Sequence, residues 1–180
     1  MSDHKMLLQA AAGDEVSFRA LYDRHRDAVY RFAWALTRSP LDAEEIAQDS
    51  FLILLGKARD FRPEAASLRT WLLGITRNLC LRRRCRLNPS DDVIPDTPHD
   101  AGIEAALVRN QTAEAVRRAV MSLPEPQREA IVLFELEELS LAETAAVLGI
   151  EANAVKARLH RGREKLKQIL PALAPQGRAV

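Results

Sequence analysis

The sequence has 180 residues, of which 47% are apolar and 28% charged, and its formal net charge at neutral pH is +1. This balance is typical of a soluble chain that buries a core, and it excludes an intrinsically disordered protein. The sequence has no uninterrupted apolar run of about 18 residues, and residues 1–13 lack the cationic start and apolar stretch of a signal peptide. We therefore predict a cytoplasmic protein without membrane insertion.

The near-neutral total conceals segments of opposite charge. Residues 69–86 contain six arginines and no acid, and residues 156–167 contain six basic residues against one glutamate. Residues 41–49 carry four acids and no base, and residues 135–143 carry four glutamates. Two cationic and two anionic segments indicate a protein with more than one kind of partner.

The N-terminal half shows helical periodicity. After an N-terminal extension, 1–13, apolar side chains between residues 18 and 36 recur at spacings of three and four, which predicts a helix. Ser39 and Pro40 supply an N-cap and a first-turn proline for a second helix. A third helix is predicted from near Ser67 to about residue 86, so residues 14–87 are expected to form one helical domain.

Residues 88–103 interrupt this pattern. The segment contains three prolines and four aspartates, and proline removes a backbone donor and restricts the residue before it. We predict a flexible acidic linker, followed by a second helical domain, 104–171, and a C-terminal tail, 172–180. No segment alternates with period two for long enough to form a strand, so the predicted fold is all-α with two small domains.

The second domain contains the pattern of a helix-turn-helix. Ser140 and Glu143 are spaced as a capping box, and Gly149 suits the left-handed conformation that ends a helix. A longer helix then follows, with Val155 and Leu159 on its apolar stripe. A short helix, a glycine-containing turn and a longer helix are the parts of a helix-turn-helix.

The opposite face of this last helix is cationic and suits the major groove, where asparagine, lysine and arginine read base edges and arginine neutralises phosphate. The alternative is a solvated helix end, where the macrodipole favours bases. The capping box, the glycine turn and the apolar stripe in register favour DNA binding. The candidate residues are Asn153, Lys156, Ala157, Arg158, His160, Arg161 and Arg163.

A second group of side chains, around the start of the third predicted helix, combines aromatic rings, hydroxyls and cations. Single-stranded nucleic acid is bound by such mixtures, because bases stack on rings while cations bind the backbone. The alternative is that Trp71 is a core residue, since it lies at helical spacing from Leu68 and Leu72, and that the arginines at 82–84 form a solvated helix end. The group consists of Phe61, Arg62, Ser67, Arg69, Thr70, Trp71, Arg77 and Asn78.

The second predicted helix carries an acidic face with Gln48 and Asp49, and Leu52 lies beside it. Such a face is often only the solvated side of an amphipathic helix. The apolar Leu52 next to fixed acids instead favours a docking surface for a partner helix with basic residues.

Metal and catalytic motifs are absent from the sequence. Cys80 and Cys85 are predicted to be apolar fillers rather than a disulfide, and no histidine lies close enough in sequence to complete a zinc site. There is no glycine-rich phosphate loop and no nucleophile elbow. We predict no metal, no cofactor, no small-molecule substrate and no enzymatic activity.

Three segments together resemble bacterial RNA polymerase sigma factors of the extracytoplasmic-function (ECF) subfamily. Residues 42–52, DAEEIAQDSFL, resemble the helix that binds the β′ subunit. Residues 61–78, with FR, SLRTWL and ITRN, resemble the segment that melts and reads the minus-ten element. Residues 122–163, with SLPEPQRE, GI and VKARLHRGR, resemble the reader of the minus-thirty-five element.

The resemblance implies partners and residue roles. The partners would be RNA polymerase core, through its β′ and β subunits, promoter DNA and an anti-sigma factor. Core polymerase would be contacted by Gln48, Asp49 and Leu52. The melted minus-ten strand would be surrounded by Ser67, Thr70, Trp71, Arg77 and Asn78. In the helix-turn-helix, the resemblance implies base or phosphate contacts from Lys156, Ala157, His160 and Arg161.

The sequence departs from the family pattern at one place, and two other classes of protein remain as alternatives. The family often has a Ser-x-Gly-Thr pattern where this chain has residues 151–154, EANA, so the promoter sequence of relatives does not transfer. A helix-turn-helix regulator would normally carry a ligand or receiver domain in place of this helical, arginine-rich half. A sigma-mimicking adaptor that only sequesters an anti-sigma factor would not need the two cationic segments.

Overall fold

The computed structural model describes residues 2–87 and 109–173, and within these ranges the chain is helical with no strand, which confirms the all-α prediction. A 3-10 turn, Ala58–Asp60, follows the third helix, and a turn of π-helix, Val132–Leu136, follows the sixth. The helices are α1 Asp3–Ala11, α2 Glu15–Thr37, α3 Pro40–Gly56, α4 Leu68–Leu87, α5 Arg109–Met121, α6 Glu125–Ile131, α7 Leu141–Leu148 and α8 Ala152–Leu173.

The predicted start of α3 is confirmed by its capping geometry. The Ser39 hydroxyl accepts a hydrogen bond from the backbone N–H of Asp42 at 3.2 Å, and Pro40 occupies the first turn, where its missing N–H costs nothing. Asp14 caps α2 in the same way by accepting from the backbone N–H of Ser17 at 3.0 Å. These caps fix where α2 and α3 begin.

Helix α1 was not anticipated from the sequence, which assigned residues 1–13 only to an extension. Its Met6, Leu7 and Ala10 are buried, and they belong to an apolar cluster with residues of α2, α3 and α4. Ser2 provides the N-cap by accepting from the backbone N–H of Lys5. The burial of this short apolar face, rather than helix propensity, holds α1 in place.

The helix-turn-helix is confirmed in its details. Ser140 and Glu143 form the complete capping box, with the Ser140 N–H donating to Glu143 at 2.9 Å and the Glu143 N–H donating to Ser140 at 3.2 Å. Gly149 ends α7 in the left-handed conformation at φ +65°, where glycine carries no steric penalty. Helix α8 then packs on α5, α6 and α7.

The buried apolar residues form two clusters. One lies within the N-terminal helices, and the other continues from α2, α3 and α4 into the helices of the C-terminal half. The two predicted domains therefore pack directly against each other. The predicted linker, 88–103, lies outside the described residues, as does the tail from residue 174 onward. No helix in the described ranges is long and apolar enough to cross a membrane.

Candidate nucleic-acid and polymerase interfaces

The cationic face of α8 is presented to solvent because the opposite side of the helix is anchored. Val155 and Leu159 are buried, and Gly162 lies so close to α6 that an added Cβ would be 2.9 Å from the Cγ1 atom of Ile131. Only glycine permits this approach. The apolar stripe predicted from the sequence is thus the side of α8 that packs against the rest of the domain.

Five of the seven predicted residues of this face are exposed, and Ala157 and Arg158 are half-buried. Two of the seven are engaged within the molecule. Arg163 donates from Nε to Glu135 at 2.7 Å, and the nearest Arg158 nitrogen lies 3.7 Å from Glu129. The exposed residues of the set are Asn153, Lys156, His160, Arg161 and Arg163.

A shallow groove of about 240 Å³ adjoins this face. Its apolar lining comes from Phe134, Leu141 and Leu159, and its basic rim comes from Lys156, His160 and Arg163. The Arg163 guanidinium lies 5.6 Å from the centre of the Phe134 ring. A cationic rim over an apolar floor raises the positive potential along the exposed face of α8.

The three residues predicted to contact core polymerase lie together on α3. Gln48 and Asp49 are exposed, and the side chain of Leu52 is exposed for 66% of its surface. The other side of the helix is held in the core by Ser50, whose hydroxyl lies 3.0 Å from that of Thr76 on α4. An exposed leucine beside an acid and an amide is suited to docking a partner helix.

The predicted minus-ten residues begin at an aromatic pair. The ring of Phe61 stacks on that of Trp71 with 5.2 Å between centroids, and His4 of α1 meets Phe61 edge-on at 5.6 Å. Phe61 is buried and Trp71 is half-buried against the N-terminal cluster. Trp71 therefore has a packing role, as the alternative interpretation expected, and leaves part of its indole exposed.

Other residues of this group are engaged by the C-terminal half. The hydroxyls of Ser67 and Thr70 donate to Glu143 at 3.1 and 2.8 Å, and Arg77 donates from Nε to Glu129 at 2.8 Å. Asn78 is exposed. The sequence did not reveal these glutamates as partners, although it did show that residues 135–143 are strongly acidic.

A third glutamate completes this contact. Glu137 is fully buried, and it accepts from Arg31 of α2 at 2.8 and 3.0 Å and from Arg69 of α4. The bond with Glu137 raises the pKa of Arg31. The hydrogen bond from the backbone N–H of Ser140 lowers the pKa of Glu143, and the Thr70 hydroxyl acts in the same direction. The contact between the two halves thus favours the ionised forms of Arg31 and Glu143.

Two further groups have shifted titration without forming a reactive site. Burial lowers the pKa of Arg128 to about 10, and this arginine donates to the backbone oxygens of Met121 and Leu123 at 3.1 and 2.9 Å. Burial raises the pKa of Cys80 to about 12, which keeps the thiol protonated and unreactive. Across residues 2–87 and 109–173, no three metal-ligating side chains cluster.

Comparison with known proteins assigns a family to both halves of the chain. The family model of sigma-70 region 2 matches residues 21–88, and that of sigma-70 region 4 matches residues 113–166. The ECF RNA polymerase sigma factor SigM of Mycobacterium tuberculosis is 36% identical, over 94% of this chain and 85% of SigM. SigW of Bacillus subtilis is 28% identical, over 92% of this chain and 95% of SigW.

Solved structures give the same assignment. CnrH in complex with the cytosolic domain of CnrY is 29% identical with a TM-score of 0.67, and the match covers 94% of this chain and 97% of CnrH. RpoE of Bartonella quintana in complex with the anti-sigma factor NepR has the same TM-score at 25% identity, covering 86% of this chain and 96% of RpoE. With matching sequence, matching fold and both sigma regions in order, the chain belongs to the ECF sigma factors of the sigma-70 family.

Proposed function

We propose that this chain binds RNA polymerase core and directs it to promoters whose minus-ten and minus-thirty-five elements are read by separate domains. The observation that carries the proposal is the exposed cationic face of α8, presented by an intact helix-turn-helix. Polymerase supplies the chemistry, so the chain itself catalyses no reaction and needs no metal, cofactor or small-molecule substrate.

The two domains have different binding roles. The N-terminal domain, 14–87, docks on β′ through Gln48, Asp49 and Leu52, and the C-terminal domain, 104–171, places α8 in the major groove. The melted strand is captured by Ser67, Thr70, Trp71, Arg77 and Asn78. The duplex is contacted by Asn153, Lys156, Ala157, Arg158, His160, Arg161 and Arg163.

Regulation by an anti-sigma factor is also part of the proposal. It is supported by the two similar structures in which CnrH and RpoE are bound by CnrY and NepR. The site of action is the cytoplasm, where polymerase and promoter DNA are found. The linker 88–103 joins the two domains, and the tail 172–180 follows the second one.

Transcription reconstituted from core polymerase and the purified chain tests this proposal, and α3 offers a matched pair of variants. Leu52 and Leu41 are exposed for 66% and 67% of their surfaces, but only Leu52 lies in the proposed docking surface. We expect Leu52→Asp to lower the affinity for core at least about tenfold, because a charge replaces a central apolar contact. Leu41→Asp should leave the affinity unchanged.

Two measurements check this expectation: titration of labelled protein with core, and promoter-dependent transcript from genomic fragments. Equal affinities of the two variants for core would remove this face of α3 from the mechanism. A wild-type chain that yields no promoter-dependent transcript with active core, in the absence of inhibitors, would refute the proposed function as a whole.

A further inference from the structure

Three carboxylates of the C-terminal domain bind donors on the N-terminal domain, and we call Glu129, Glu137 and Glu143 the interdomain clamp. Glu129 lies on α6, Glu137 follows the π-helical turn, and Glu143 lies in the first turn of α7. All three reach across to α4 or α2. The contacts join residues that are 52 to 106 positions apart in the sequence.

Two of the three clamp residues are removed from water. Glu137 and Glu129 are both buried, and each is neutralised by arginine, Glu137 by Arg31 and Arg69 and Glu129 by Arg77 at 2.8 Å. Buried carboxylates are tolerated only when they are paired and hydrogen-bonded. The clamp therefore favours the two domains staying together, since separation removes both arginine partners of Glu137 and leaves Glu129 only with Arg158 of its own domain, whose nearest nitrogen is 3.7 Å away.

The donors that the clamp occupies are the groups proposed to hold the melted minus-ten strand. Ser67 and Thr70 donate their hydroxyls to Glu143, and Thr70 is only 4% exposed. Arg77 forms a paired contact with Glu129, at 2.8 and 3.4 Å. Carboxylate oxygens are anionic acceptors, as phosphate oxygens are, and a donor held by one is not available to the other.

We propose that the clamp is an internal competitor for single-stranded DNA, so that the free protein is autoinhibited and captures the minus-ten strand only after its two domains separate. This inference rests on the proposed strand-binding function of one group of residues at the start and middle of α4. We call this group the patch on α4, and it consists of Ser67, Thr70, Trp71, Arg77 and Asn78. The inference adds that strand capture is controlled within the chain itself, by three named carboxylates.

Contacts around the clamp hold the closed arrangement further. Arg84 of α4 pairs with Glu125 of α6, Arg38 donates to the backbone oxygen of Met121 at 2.8 Å, and Arg117 lies 5.0 Å from the centre of the Trp34 ring. One of the two apolar clusters also includes residues from both domains. The apparent affinity for the strand is then the affinity of the open form multiplied by the fraction of molecules that are open.

Arg31 provides the sharpest test, because it belongs to the clamp contact but not to the proposed DNA patch. In Arg31→Glu a carboxylate faces the buried Glu137, so closure should be disfavoured by like-charge repulsion and the loss of a partner. Arg26→Glu is the matched control. Arg26 lies on the same helix and pairs with Asp27, within the N-terminal domain.

The full-length variants are compared by small-angle X-ray scattering and by binding to a fluorescent pool of random single-stranded 12-mers at low salt. We expect Arg31→Glu to increase the radius of gyration and to tighten binding of the 12-mers by about tenfold or more. Arg26→Glu should do neither. A purely electrostatic effect has the opposite sign, because replacing a cation by an anion weakens DNA binding.

A third variant separates this inference from the proposed function. Arg31→Glu with Arg77→Ala should be open but should lose most of the gained affinity, since Arg77 belongs to the patch. If Arg31→Glu stays as compact as the wild type, or opens without binding more tightly than Arg26→Glu, the inference is overturned. If the double variant binds as tightly as Arg31→Glu, the clamp holds the domains but the patch on α4 is not the strand site, and the proposed function fails there.

Discussion

The exposed face of α8 and the patch on α4 are both cationic, yet they differ in how far their side chains are accessible to solvent. On α8, Lys156, His160 and Arg161 face solvent, whereas on α4 the side chains of Thr70 and Arg77 are bonded to glutamates of the other domain. The difference teaches that the two proposed DNA-binding surfaces are not equally exposed. Under the proposed function, the face that contacts duplex DNA is accessible first, which matches the state in which a promoter is first met, before its strands open.

The exposure of the α8 face depends on how α8 packs against α6. A substitution at Gly162, where the two helices meet, should have the largest effect on the free energy of unfolding. A valine at this position would collide with the buried Ile131, and overpacking of this kind costs about 2 to 3 kcal/mol. Gly74 on α4 is the matched control, because a Cβ added there would meet no atom within 4 Å. Gly74→Val should change the free energy of unfolding by less than about 0.5 kcal/mol.

Urea unfolding measures both glycine variants, and binding to duplex promoter fragments shows whether α8 is displaced. Equal unfolding free energies for Gly162→Val and Gly74→Val would mean that the close approach of α8 to α6 does not exist in solution. The availability of the α8 face would then need another explanation.

The exposed face should respond to mutation in binding but not in stability. We expect Lys156→Ala or Arg161→Ala to weaken duplex binding by about 1 to 3 kcal/mol where the side chain makes a bidentate base contact. Both residues are exposed, so the free energy of unfolding should stay within about 0.5 kcal/mol of the wild type.

Fluorescence anisotropy with promoter duplex, measured at two or more salt concentrations, distinguishes the kinds of contact. Loss of a phosphate contact lowers the salt dependence by about one ion, whereas loss of a base contact relaxes sequence preference. Arg26→Ala removes the same charge from α2 and serves as control. Unaltered promoter affinity and activity in both α8 variants would remove that face from the mechanism.

The sequence predicted the helix-turn-helix well because its determinants are local. The capping box spans residues 140–143, the turn needs one glycine, and the stripe through Val155 and Leu159 repeats every three or four residues. Periodicity also showed which side of α8 faces solvent. The all-α fold followed from the same signals.

The clamp could not be predicted, because its determinants are not local. Thr70 and Glu143 are 73 residues apart, and Arg31 and Glu137 are 106 apart. The sequence contains an acidic segment and a cationic one, but Coulomb attraction alone does not choose among their many pairings. Helix α1 was missed for a related reason. Its short apolar face stabilises a helix only when α2 and α3 are present to bury it.

The smallest expected effect is the dependence of stability on pH, and it concerns His25, which is buried on α2. Burial lowers the pKa of His25 from its ordinary value of 6.5, an effect opposed by Asp3 and reinforced by Arg24 and Arg69. The unfolded chain therefore binds the proton more readily than the folded one. Stability is present above pH 6.5 and falls as the pH drops below it, by at most about 1.4 kcal/mol per pH unit for one proton.

Urea unfolding of His25→Gln between pH 5 and 7.5 measures this contribution as a reduced slope of stability against pH, whatever the variant's absolute stability. If His25→Gln shows the same slope as the wild type, His25 is hydrated in solution and α1, which brings Asp3 to it, is not docked there. A reduced slope in His25→Gln would instead show that α1 and α2 are packed against each other as described.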